Sequence, residues 1–203
     1  MRIVSLLPSA TEIVADFGLA GDLVGRSHEC QWPEEVREVP VVSASRIDPA
    51  AWDSRQIDAA VRAAVEGGEA LYAVDAEMLA SLRPDIIITQ DLCRVCAVAD
   101  GDLAPVGARV ISVGPRTLGE VAESVRYLGR ELGVAGQGEF WADEMLRRID
   151  RVRHAVAGRT RPRVFLAEWM DPPFASGHWI PEMVEAAGGL EVLGRASERS
   201  VRT

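Results

Sequence analysis

The sequence has no uninterrupted run of about eighteen apolar residues that could cross a bilayer as a helix. It has only three cysteines. An odd number cannot all pair within one chain, which favours a reducing compartment or a metal site over a disulfide framework. Gly18, Gly21 and Gly25 lack GxGxxG spacing, and no GxxxxGK followed by Ser or Thr occurs, so the glycine-rich phosphate loops are missing. Neither GxSxG nor HExxH is present; no hydrolase is indicated and no catalytic residue is assigned. Basic residues are in deficit, 22 against 31 acidic, and the formal net charge of −9 disfavours nonspecific attachment to nucleic acid or anionic lipid. The amino terminus, MRIVSLLPSATEIVADFG, is broken by Pro8, Ser9, Thr11 and Glu12 too early for the apolar core of a secretion signal. These absences predict a cytoplasmic chain without a membrane span or a nucleic-acid partner.

What is present is an apolar chain with alternating strand and helix signals. With 203 residues, 48% of them hydrophobic, it can bury a sizeable core and hold one large or two small domains. Ile3-Val4-Ser5-Leu6-Leu7 is a short apolar run of buried-strand type. PSATEIVADFGL then switches to helical spacing, with Ser9 expected as the cap, Glu12 completing a capping box and Gly18 ending the helix. The unit recurs. DLVG and VPVVS are brief strand candidates, SRQIDAAVRAAVEGG is a helix ending at glycines, ALYAV is a strand, DAEMLASLRP is a helix stopped by Pro84, and DIIIT and ARVISVG are strands. Strands alternating with helices of this length predict an α/β fold with a parallel sheet covered on both faces.

Two longer amphipathic segments follow. TLGEVAESVRYLGRELGV spaces Leu118, Val121, Val125, Leu128 and Leu132 by three and four, and GQGEFWADEMLRRIDRVRHAVAG marks one face with Leu146, Ile149, Val152 and Val156. In the second, Glu139, Asp143 and Glu144 precede Arg147, Arg148, Arg151 and Arg153, an order that suits the helix dipole. It can run about 20 residues, or roughly 30 Å, long for a surface helix of a small α/β unit. RPRVFLAEW then reads as a strand, DPPFASG as an irregular loop, WIPEMVEAAGG as a helix ended by glycines and LEVLG as another strand; RASERSVRT is polar without periodicity.

The chemistry-bearing residues gather after presumed strands. Cys93 and Cys96, in CRVC, follow DIIIT and Gln90-Asp91, and their spacing alone leaves metal binding, disulfide exchange and packing open. His28 and Cys30 follow DLVG. Loops after parallel strands emerge on one sheet edge, so His28, Cys30, Cys93 and Cys96 can converge as one imidazole and three thiolates, a set suited to zinc or another soft metal. Buried thiols beside a hydrogen-bonded histidine account for the same residues without a metal. His178 precedes a helix carrying Glu182, and the two share one side only if that helix begins at His178; Glu168 and Asp171 offer further oxygens. Its imidazole reads either as a ligand contact or as a structural group bonded to backbone. Trp32, Trp169 and Trp179 fall in or beside presumed loops, where indoles next to prolines form a rigid apolar wall for a large flat ligand; core packing explains each one individually as well. The turn LLPSATE can aim Ser9, Ala10 and Thr11 at a polar ligand group through a helix N-terminus.

Taken together, RIVSLLPSATEIVADFGLAGDLVG, HECQWP, LRPDIIITQDLCRVCAV and VFLAEWMDPPFASGHWIPEMVEAAGG resemble the family of ABC-transport substrate-binding proteins that includes binders of cobalamin and of iron chelates. HEC and CRVC resemble its leaderless cobalamin-binding subgroup. The resemblance implies a non-catalytic receptor with an N-terminal α/β lobe over 1–135, a backbone helix over 136–157 and a partial C-terminal α/β lobe over 158–203. It implies a corrinoid, cobalamin-like, or a related metal chelate held in an interlobe cleft. Ser9, Ala10, Thr11, His28, Glu29, Trp32, Gln90 and Asp91 would line it from the first lobe, and Trp169, Asp171, Phe174, His178 and Trp179 from the second. A bare zinc ion, another soft metal or a cluster on His28, Cys30, Cys93 and Cys96 is the alternative ligand, and a thiol-dependent enzyme the alternative class. Because Thr203 falls where the family's second lobe continues, a shortened lobe is expected, its open edge covered by a second copy or a partner chain.

Overall fold

The apolar runs at 3–5 and 86–89 become strands buried along their length, and glycine, proline or a capping carboxylate sets most helix ends. The computed structural model describes residues 1–47, 50–90 and 107–203. Its first unit, Met1–Gly114, contains β1 (Ile3–Ser5), α1 (Pro8–Asp16), β2 (Leu23–Arg26), β3 (Ser43–Ser45), α2 (Ser54–Gly67), β4 (Tyr72–Val74), α3 (Ala76–Leu82), β5 (Ile86–Gln90) and β6 (Arg109–Val113). Strands β2, β1, β5 and β6 lie side by side in that order and all run parallel. Val4, Val42, Leu79 and Ile87 form a fully buried cluster, and each such aliphatic side chain contributes about 1.5–3 kcal/mol of transfer free energy. Gly25 permits this packing: a Cβ there would stand 2.9 Å from Leu82 Cδ1 and 3.1 Å from both Val4 Cγ2 and Val42 Cγ1.

The local signals explain the helix ends with one correction. Asp53 caps α2 by accepting from the Gln56 amide at 2.8 Å, and Gly68 closes the helix at φ 69. Asp75 caps α3, which stops at Arg83, the residue before Pro84, where proline disfavours helical backbone. Ser9, the expected cap of α1, is instead inside the helix. Pro8 takes the first helical position, where its fixed φ and missing N–H are no cost, so the capping box with Glu12 does not form. The parallel expectation also fails for one pair, since β3 and β4 run antiparallel, apart from the main sheet. Strands of three residues carry too little pattern to reveal direction.

The second unit, Pro115–Thr203, contains α4 (Leu118–Glu131), α5 (Ala135–Val156), β7 (Arg163–Val164), β8 (Ala167–Met170), β9 (Pro173–Ala175), α6 (Ile180–Ala186), β10 (Leu190–Glu191) and β11 (Val201–Arg202). Helix α5 has 22 residues, roughly 33 Å, and is the long helix read from the sequence. It meets α4 at glycines: a Cβ on Gly129 would lie 2.7 Å from Gly138 Cα. Beside that crossing, Arg126 of α4 reaches Glu139 at 2.8 Å and Asp143 at 2.6 Å on α5. By contact, α4 therefore groups with α5 in this unit. Val152, read as part of the apolar face, is exposed. Strands β10 and β7 pair in parallel, and β11, β9 and β8 form an antiparallel sheet. DPPFASG thus contains the three-residue strand β9 within an otherwise irregular stretch, and the aperiodic RASERSVRT contributes β11. Among the described residues, no helix is long and apolar enough to cross a membrane.

Candidate functional site

Parallel alignment of β1, β2 and β5 sets their carboxy ends at the same edge of the sheet, where ligand-carrying groups are expected. The loop after β2 is shaped by Arg26, whose Nε, Nη1 and Nη2 donate to the carbonyls of Val39, Cys30 and Arg37 at 3.0, 2.8 and 3.0 Å. Three carbonyls gathered on one guanidinium fix the path of His28, Glu29 and Cys30. His28 is half-buried, with Nδ1 3.0 Å from Ser43 Oγ and its ring centroid 5.4 Å from that of Tyr72. Its Nε2 is buried and has no hydrogen-bond partner among the described residues; the exposed Glu29 carboxylate stands 3.4 Å away. A small cavity of about 80 Å³ opens here, lined by Pro8, His28, Glu29, Ser43, Tyr72 and Gln90. Of the lining residues that sequence reasoning missed, Tyr72 and Ser43 are the two that meet the His28 ring. Both lie on short strands whose antiparallel pairing brings them to His28, and ALYAV carried only a strand signal.

Other expected residues fall differently. Ser9 is exposed on α1, whereas Ala10 and Thr11 are buried under it. Thr11 donates to Ser5 Oγ at 2.8 Å and approaches Cys30 Sγ at 3.0 Å. Cys30 is fully buried, with Ser27 Oγ 3.4 Å from its sulfur, so its thiol packs beneath α1 while His28 turns toward Ser43. Trp32 is exposed. Asp91, Cys93 and Cys96 lie outside the described residues; among those described, no group of three His, Cys, Asp or Glu is placed to hold a metal ion.

The candidates of the second unit cluster in and after the β8–β9 hairpin. Trp169 Nε1 donates to the Asp171 carbonyl at 3.1 Å, Phe174 lies in β9, and the His178 and Trp179 rings have centroids 6.0 Å apart. Helix α6 begins at Ile180, after Trp179, so His178 and Glu182 do not share a helix side. His178 is left-handed at φ 52, and Glu182 Oε2 accepts from the Leu118 amide at 2.7 Å. Glu168, a further oxygen donor considered for His178, is bonded to the Ser200 hydroxyl. A larger cavity of about 390 Å³ lies at the end of α5, lined by charged groups including Arg153, Arg159, Arg161, Glu182 and Glu185. It contains none of the expected ligand contacts, and Arg161 is already committed to the Gly189 carbonyl at 2.6 Å, so size alone does not make it the site.

A family model described as periplasmic binding protein matches residues 3–199. A vitamin B12-binding protein of Vibrio cholerae is 24% identical over 201 residues, covering 95% of this chain and 60% of the relative. The chain thus spans less than two thirds of the length of the curated relatives it matches. Among solved structures, the periplasmic vitamin B12 binding protein of Vibrio cholerae superimposes with a TM-score of 0.70 at 21% identity, covering all of this chain and 69% of that one. A periplasmic heme-binding protein from Roseiflexus sp. RS-1 gives 0.67 at 20% identity, over 100% and 70%. These likenesses show the fold: two α/β lobes linked by the long helix α5.

Proposed function

The chain belongs to the periplasmic binding protein family, and from that premise we propose that it binds a corrinoid or related metal chelate without transforming it. The observation that carries this reading is the set of groups on the parallel-sheet edge. His28 is held through Nδ1 by Ser43 and beside Tyr72, while its buried Nε2 lacks a hydrogen-bond partner among the described residues. A fixed imidazole beside an aromatic ring, with Glu29 3.4 Å from its Nε2, suits a flat macrocycle that offers both an apolar face and polar edge groups. Trp169, Phe174, His178 and Trp179 of the second unit would add aromatic contacts. The relatives named for vitamin B12 and heme support the ligand class. The family assignment also agrees with the expectation of binding without catalysis.

Membership in this family corrects the cytoplasmic expectation, because its members are periplasmic binding proteins. Among the grounds for that expectation was the broken apolar run of the first eighteen residues. Those residues form β1 and α1 of the folded first unit and so carry no information on export.

Titration with cyanocobalamin and, separately, haemin, followed by visible spectra, tests the proposal. One of the two should bind stoichiometrically, and His28→Ala should weaken that binding about tenfold, equivalent to about 1.4 kcal/mol. Absence of binding by both macrocycles to the native chain refutes the ligand class.

A further inference from the structure

The loop carrying His178 is held by a segment to which the proposed ligand contacts assign no role. His178 has φ 52, a conformation that a non-glycine residue keeps only where its surroundings impose it. Both of its backbone groups are bonded to one segment: its N–H donates to the Glu198 carbonyl at 2.6 Å, and its carbonyl accepts from the Ser197 N–H at 2.9 Å. Ser197 is itself left-handed, with φ 64. The contact continues on both sides. Arg195 donates to the Ser176 carbonyl at 3.2 Å, and β11 pairs with β9, setting Val201 opposite Ala175 and Arg202 opposite Phe174. Between them, Gly177 leaves no room for a side chain, since a Cβ would stand 2.5 Å from Ser200 N and 2.6 Å from Glu198 O.

We infer that residues 195–203 form a positioning element that directs the His178 imidazole by holding its backbone left-handed. The inference rests on the reading of His178 as a ligand contact, and Ser197 acts only through it. Released from the two hydrogen bonds, His178 relaxes to negative φ, where most side chains reside. Its Cα–Cβ bond then leaves the loop in a different direction and the ring moves away from its place beside Trp179.

A double-mutant cycle with cyanocobalamin or haemin, whichever the native chain binds, tests this. Ser197→Pro removes the donated N–H and forbids φ 64. It should weaken binding about tenfold, as His178→Ala does, and the double variant should be no weaker than either single one, because both changes remove the same contact. Ser197→Gly, which keeps the N–H and adopts φ 64 freely, should bind as the native chain does. Additive losses, about a hundredfold in the double variant, overturn the inference. So does native binding by Ser197→Pro.

If the native chain binds neither macrocycle, the ligand reading fails and thermal melts decide the backbone claim separately. His178→Gly should melt roughly 2–4 °C above His178→Ala, because only glycine takes φ 52 without strain. In the Ser197→Pro background that gap should close, and an unchanged gap shows that the segment does not impose the conformation. Should Ser197→Pro fail to fold, Gly177→Ala takes its place, releasing the loop by displacing residues 198–200.

Discussion

Glu191 shows how much one side chain can organise in a short turn. Its Oε1 accepts from the amides of Val192, Leu193 and Gly194 at 3.0, 3.1 and 2.9 Å. Burial acts to raise its pKa, but the backbone donors at Gly194, Leu193 and Val192 outweigh it and hold the carboxyl below its ordinary range. A depressed folded pKa stabilises the fold above the unfolded value, near 4.5, and that contribution is lost as the pH falls through the folded pKa. Glu191→Gln keeps an acceptor but loses its charge. It should lower stability at neutral pH by about 1 kcal/mol, discounted for partial exposure, and should flatten the decline below pH 4.5. Chemical unfolding of both proteins across that range measures the effect; parallel pH curves would reject this role. At this scale the sequence points to His28, which follows β2, and to Gln90, the last residue of β5, because the carboxy ends of parallel strands share an edge. It did not reveal Tyr72 or the role of Arg26, which depend on ring proximity and on three carbonyls brought together by folding. Nor did it give the direction of Cys30: spacing placed the residue in the loop, while Thr11 and Ser27 draw its sulfur inward.

Between elements, the α4–α5 crossing sets two effects of glycine replacement against each other. Gly136 has no neighbour within 4 Å of an added Cβ, whereas at Gly129 the Cβ meets Gly138 Cα at 2.7 Å and Gly138 N at 3.0 Å. Replacing glycine with alanine in a helix gains up to about 1 kcal/mol of propensity, and less in a first turn. Overpacking against backbone that cannot rotate away costs about 1–3 kcal/mol. Gly136→Ala should therefore stabilise the protein by about 0.5 kcal/mol, and Gly129→Ala should destabilise it by about 1–2 kcal/mol net. Urea unfolding monitored by helical circular dichroism distinguishes the two, and a stabilising Gly129→Ala would mean the helices can separate freely. The same elements explain what was legible. α4 and α5 announce themselves by long periodic spacing, and β5 by the uninterrupted Ile86, Ile87 and Ile88. Strands β9 and β11, of three and two residues, have no room for alternation and become visible only once paired. Proline misled at α1, where Pro8 opens the helix that Ser9 was expected to cap.

Charge is divided unequally over the whole molecule. Eighteen acidic and nine basic residues lie in Met1–Gly114, against thirteen of each in Pro115–Thr203, so the formal charge of −9 resides in the first unit. The chain has no lysine, and every basic residue is arginine. In the second unit these arginines join carboxylates: Arg126 contacts Glu139 and Asp143, and Arg148 holds the Glu144 carboxyl below its ordinary range. Salt should consequently act on the two units with opposite sign. Raising sodium chloride from about 0.05 M to about 0.5 M shortens the screening length roughly threefold. Screening relieves self-repulsion in the first unit and weakens the exposed arginine–carboxylate pairs in the second. Hydrogen exchange resolved by peptide mass spectrometry reads both units in one experiment. Protection of Ile86–Gln90 should rise with salt, while that of Leu118–Glu131 and Ala135–Val156 should fall. Equal movement of all three segments in one direction would show that the charge asymmetry does not govern their stability.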